Sequence, residues 1–117
     1  MRLNHLNIGV PDLDEASTFL TTHFGLKEVH RQKDFIAILL DETGFVLAVS
    51  REAEPKYPKL FHLGFLQDTR EQVDALFERF QALGLVRGEG PRPVHGSYGF
   101  YFHALGGVMF EVSAFLG

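Results

Sequence analysis

Three side chains invite a chemical reading by type and by place: His5, His62 and Glu111. Along an extended run, successive side chains alternate between two faces. Over residues 3–10, Leu6, Ile8 and Val10 share one face, and His5 and Asn7 take the other. Over residues 60–67, His62 shares a face with Gly64, opposite Leu63 and Phe65. In the closing run, Val108, Phe110 and Val112 form an apolar face, and Glu111 lies with Met109 and Ser113 on the other. Each run thus has one face suited to packing on a helix and a second face with one ligand-type residue. Sheets curved so that the second faces converge would line a cavity with two imidazoles and a carboxylate. Such a set on one side of a metal leaves positions open for water or substrate. The chain has no Cys, so the site is confined to nitrogen and oxygen ligands and suits Mn, Fe, Co, Ni or Zn, one divalent ion per site. An unpaired buried charge is costly, which argues against these groups turning inward for nothing.

Other polar residues fall near these three. Asn7, two residues after His5, faces the same cavity as a substrate contact. Parity puts Tyr101 and His103 on one face, with Phe100 and Phe102 opposite. A Tyr hydroxyl there can polarise a substrate oxygen, and His103 can transfer protons. His95 lies in a Pro/Gly-rich segment, residues 88–96, that can act as a lid over substrate. His23 falls in the last turn of an expected helix, where a cation is favoured, and reads as structural. His30 has no assignable role.

The elements that must hold these residues repeat. After the first strand, Asp12 can cap a helix with Glu15 three residues later, and Leu13, Ala16, Phe19, Leu20 and Phe24 follow at helical spacing up to Gly25. Strands are expected near 27–31, 35–41 and 45–51. Residues 52–59 carry charges, Pro55 and Pro58, and read as a linker. The order then recurs: a strand over 60–67, a helix opened by Thr69 and Gln72 with Val73, Leu76, Phe77, Phe80 and Leu83 buried, and strands near 85–88, 98–104 and 108–115. His5 and His62 stand at matching points, as do Gly25 and Gly84, and residues 44–50 and 107–113. The expectation is an α+β domain made of two tandem βαβββ modules, 1–51 and 60–117, with curved, mostly antiparallel sheets around a central cavity.

Composition narrows the function classes. At about 150 residues per domain, 117 residues make one domain. Eleven Lys+Arg against 15 Asp+Glu give a net charge of −4, which supplies no electrostatic reason to bind nucleic acid or anionic lipid. The longest apolar run, 35–40, is far short of the ~20 residues that span a bilayer. Residues 1–10 mix Asn4, His5 and Asn7 into their apolar residues and so lack a signal-peptide core. Together with the absence of Cys, this points to a cytoplasmic protein.

The duplication, the opening run from His5 to Asp12 (His-Leu-Asn-Ile-Gly-Val-Pro-Asp), His62, and the closing Gly107-Val-Met-Phe-Glu111 resemble the vicinal oxygen chelate superfamily. That group includes glyoxalase I, fosfomycin-resistance proteins, extradiol dioxygenases, methylmalonyl-CoA epimerase and bleomycin-resistance proteins. The resemblance covers essentially the whole chain. It implies metal ligation by His5, His62 and Glu111, a role for Tyr101 ten residues before the final Glu, and a homodimer whose sites use both subunits. The implied activity is that of a metal-dependent lyase, dioxygenase or thiol transferase acting on a small oxygenated substrate by bidentate chelation. Three departures stand out. Ala48 occupies the place where four-ligand members carry Glu or Gln. The usual Asp-Pro-x-Gly turn is here Ala104-Leu-Gly-Gly107. The basic and hydroxyl cluster of the fosfomycin enzymes does not map onto residues 88–98.

Two rival readings belong to other classes. One is a metal-free, bleomycin-resistance-like binding protein, whose Phe-rich groove and acidic balance would suit a cationic drug. The other is RNA binding through the aromatic run 98–102, which lacks the basic residue and the following helix that an RRM requires.

Overall fold

The computed structural model describes residues 1–116; Gly117, the expected end of the second module, lies outside them. The chain divides into two compact units, residues 1–56 and 57–117.

The first unit runs β1 (His5–Val10), α1 (Leu13–Phe24), β2 (Lys27–Gln32), β3 (Ile36–Leu40) and β4 (Val46–Arg51). Its sheet order is β1-β4-β3-β2, with β1 parallel to β4 and the other pairs antiparallel. Helix α1 starts where Asp12 accepts a hydrogen bond from the Glu15 N–H at 3.0 Å. It ends at Gly25, whose φ of +67° lets the chain turn out of the helix without a Cβ penalty. Ile8 and Val10 on β1, Ala37 and Leu39 on β3, and Leu47 and Val49 on β4 are buried with Leu13, Ala16 and Leu20 of α1. At ~25 cal/mol per Å² of apolar surface, this alternation on the strands holds the helix to one face of the sheet and fixes the register. The edge strand β2 has no buried residue of its own and is held to α1 by charge. Arg31 reaches Asp14 at 2.6 Å and Glu28 at 2.7 Å, and Ser17 Oγ donates to Glu28 at 2.7 Å.

The second unit repeats the plan: β5 (His62–Leu66), α2 (Arg70–Ala82), β6 (Arg92–Val94), β7 (Ser97–Ala104) and β8 (Val108–Phe115), with sheet order β5-β8-β7-β6 and β5 parallel to β8. Helix α2 opens with the expected capping box between Thr69 and Gln72. Its buried stripe is Val73, Phe77 and Phe80. Phe77 and Phe100 meet edge to face at 5.2 Å between centroids, and Phe80 lies 5.1 Å from Phe102. Such ring pairs add about 0.5–1.5 kcal/mol beyond their burial. This phenylalanine stack does the work that leucine and isoleucine do in the first unit. Gly99 is required by close approach: a Cβ there would overlap the Val112 carbonyl oxygen and lie 2.8 Å from Ser113 Cβ.

The expected strand near 85–88 is absent. The corresponding strand is β6, seven residues further on and only Arg92–Val94 long. Gly88 and Gly90 adopt φ of +98° and +99°, a left-handed backbone incompatible with a strand, so pairing with β7 begins only beyond them.

Candidate metal centre

The face of the β5–β8 sheet away from α2 carries a compact polar group. His62 Nδ1 lies 2.8 Å from the Leu60 carbonyl oxygen. A carbonyl only accepts, so Nδ1 carries the proton, and in the neutral ring Nε2 carries the lone pair. That lone pair faces Glu111 Oε1 at 3.2 Å. Two electron-pair donors opposed in this way require a positive centre, either a proton on Nε2 or a metal ion. Ligands about 2.1 Å from one ion at a right angle or slightly wider stand about 3.0–3.2 Å apart. The pair therefore fits two neighbouring coordination positions. The side chains are 37% and 20% exposed, open enough for an ion to enter. Gly64 lies directly opposite Glu111 in register, and a Cβ there would only reach ordinary contact with Oε1 at 3.9 Å.

Tyr101 sits across from Glu111 on β7 and meets the His62 ring edge to face at 5.6 Å. Burial, then the charge of Glu111 and hydrogen bonding to it, push the Tyr101 pKa up. His103 projects from the same face, opposite Met109, and is exposed. His95 stands at φ +50° in the β6–β7 turn; among the described residues no hydrogen bond or ring contact joins it to His62 or Glu111. Arg92, which the sequence reading missed, is paired with Gly99 and so shares the face of Tyr101. It lies in the Gly/Pro-rich segment, where alternation offers no guide to facing.

The first unit carries the other imidazole. His5 Nδ1 lies 2.8 Å from Asn4 Oδ1, which orients the ring as Leu60 orients His62 and again leaves Nε2 to bind. Register makes the units comparable: Asn7 pairs with Ala48 as Gly64 pairs with Glu111, and Ile38 faces Ala48 as Tyr101 faces Glu111. The first unit thus presents a histidine with Ala48 and Ile38 where the second presents a histidine with Glu111 and Tyr101. Asn7 is fixed by Ser50, whose Oγ donates to Asn7 Oδ1 at 3.0 Å. Among the described residues, no three His, Asp or Glu side chains are gathered into a metal-binding group. His62 and Glu111 belong to one unit and His5 to the other.

The chain is similar to known proteins in sequence and in fold. The family model described as Glyoxalase/Bleomycin resistance protein/Dioxygenase superfamily matches residues 2–112. The fosfomycin resistance protein FosX of Listeria monocytogenes is 28% identical over 118 aligned residues, spanning 96% of this chain and 88% of the relative. A possible glyoxalase from Bacillus cereus superimposes with a TM-score of 0.87 at 37% identity, covering 97% of this chain and 98% of that one. FosX complexed with Mn(II) and sulfate superimposes with a TM-score of 0.80 at 25% identity, covering 97% of this chain and 89% of that one. With two βαβββ units in matching strand order and a family match across nearly its whole length, the chain belongs to the Glyoxalase/Bleomycin resistance protein/Dioxygenase superfamily.

Proposed function

We propose that the protein is a divalent-metal-dependent enzyme acting on a small oxygenated molecule, with His62 and Glu111 of one chain and His5 of a second copy as ligands. The observation that carries this reading is the opposed pair His62 Nε2 and Glu111 Oε1, with Nδ1 tied to a carbonyl. Support comes from FosX, a relative whose structure was solved with Mn(II). A bound Mn, Fe, Co, Ni or Zn ion would supply Lewis acidity toward paired substrate oxygens.

The chain's own residues divide the remaining work. Leu60 fixes the tautomer of His62, and Tyr101 holds Glu111 in place. When substrate binds, the Tyr101 hydroxyl turns its one proton from Glu111 to a substrate oxygen, and exposed His103 exchanges protons with solvent. Asn7, its oxygen held by Ser50, offers its amide hydrogens to substrate. His95 and Arg92 supply polar contacts at the β6–β7 end, and Arg92 suits an anionic substituent. Ala48 supplies no second carboxylate, which disfavours a reaction that needs a base on that strand.

Elemental analysis and Mn²⁺ titration of the purified protein test the proposal. About one ion per chain is expected, and His62→Ala is expected to abolish binding. Stoichiometric metal surviving that substitution would sink the ligand set. Failure to bind any divalent ion, together with stabilisation by a cationic drug, would favour a metal-free binding protein.

A further inference from the structure

The sequence places Glu52 at the start of a charged linker, yet the structure ties its backbone to β1 and leaves its side chain exposed. Its backbone N–H donates to the Val10 carbonyl at 2.8 Å, which extends the β1–β4 pairing by one residue. Its side chain lies back over Gly9, so that a Cβ on Gly9 would overlap Oε2 and sit 3.2 Å from the Glu52 Cβ. Gly9 shares the face of His5 and Asn7 by alternation. The absent side chain at Gly9 is therefore the seat of a carboxylate. His5, Asn7 and Glu52 form a row along one edge of the open face: an imidazole, an amide and a carboxylate.

The charge in this row lacks a counterion. Arg51, the neighbouring cation, points from the opposite face toward Asp34 at 3.7 Å. Among the described residues, no Lys, Arg or His nitrogen lies within 4.0 Å of the Glu52 carboxylate. Ser50, in register with Gly9, spends its hydroxyl on Asn7 Oδ1 and leaves Glu52 alone. An ionised carboxylate only accepts hydrogen bonds, and its strongest partners are cationic donors.

We propose that Glu52 is a specificity residue that receives an ammonium group on the substrate, while Asn7 contacts the substrate between that group and the metal. This rests on the metal reading, because it takes His5 to mark the chelating end. At about 3.3 Å per residue, His5 and Gly9 lie ~13 Å apart along β1, and the metal–imidazole bond at one end and the ammonium–carboxylate contact at the other take up about 4–5 Å of that span, leaving roughly 8–9 Å for the substrate. The substrate class is then an elongated molecule with chelating oxygens at one end and an amine at the other.

The test compares ε-aminocaproyl hydroxamate with caproyl hydroxamate, titrated calorimetrically into the full-length Mn²⁺-loaded protein. The wild type is expected to bind the amine-bearing probe about tenfold tighter, the scale of one charge-assisted contact. E52Q and Gly9→Ala, which pushes the carboxylate off its seat, are expected to erase that preference without changing Mn²⁺ affinity. Equal affinity for the two probes, or a preference that survives in E52Q, overturns the proposal. If wild-type protein takes up no Mn²⁺, the metal reading falls, and the amine site is judged separately on the metal-free protein. A shift of the Asn7 side-chain amide resonances with ε-aminocaproate, lost in E52Q, then sustains it, and no shift overturns it.

Discussion

His62 and Glu111 show how little is needed to set two electron-pair donors against each other. One hydrogen bond from Nδ1 to Leu60 decides which ring nitrogen remains, and strand register decides that it meets Oε1. Tyr101 completes the arrangement from the next strand. Outer-shell partners of this kind are worth about 10–100-fold in metal affinity, so Tyr101→Phe is expected to weaken Mn²⁺ binding by up to that factor. Titration calorimetry checks it; unchanged affinity would mean that the hydroxyl does not orient Glu111. Gly99 makes a different demand. Gly99→Ala must move β7 away from the Val112 carbonyl, and a loss of more than about 2 kcal/mol on chemical denaturation is expected. The facing of His5, Asn7, His62, Tyr101 and Glu111 was legible from alternation alone, because each lies in a regular strand bounded by apolar neighbours. Arg92 and Glu52 were not: one follows glycines with left-handed backbone, and the other is recruited to β1 by a single backbone bond to Val10.

At the scale of elements, the helices were the easiest to read. Asp12 and the Thr69–Gln72 box mark their starts, and the apolar stripes give their buried faces. Edge strands were harder. Residues 85–88 have strand-like composition, but nothing local reveals that Gly88 and Gly90 postpone pairing to Arg92. The other edge strand, β2, depends on Arg31, Glu28, Ser17 and Asp14 rather than on apolar burial. The Arg31 hydrogen bond, then that from Ser17, lowers the Glu28 pKa from its ordinary value of 4.5. A carboxyl depressed in the folded state stabilises fully above its unfolded pKa, and that contribution disappears as pH falls through the folded value. Partly exposed pairs of this kind are worth about 0.2–1 kcal/mol. Glu28→Gln is therefore expected to lower the melting temperature slightly at neutral pH. The gap between variant and wild type should close in acid below the ordinary carboxylate range; a constant gap would assign the effect to packing.

At the scale of the molecule, the proposed division of ligands between copies has a direct consequence for mixtures. His5→Ala and His62→Ala chains are each expected to bind no metal. Unfolded together and refolded, they form mixed dimers in which one of the two sites draws intact His5 from one chain and intact His62 and Glu111 from the other. Partial recovery of Mn²⁺ binding, at about a quarter of the wild-type stoichiometry for random pairing, is expected. No recovery would place all three ligands within a single chain.

The two units share strand order, helix placement and a histidine at the head of the first strand, yet Ala48 and Ile38 stand where Glu111 and Tyr101 stand in the other. A duplicated frame usually carries redundancy, since one half can back up the other while it changes. Here the copying survives in the scaffold and in the leading histidine. With Ala48 where the second half carries Glu111, the first half holds no second copy of the His62–Glu111 pair, and under the proposed reading it is left to lend His5 and to read the substrate through Asn7 and Glu52.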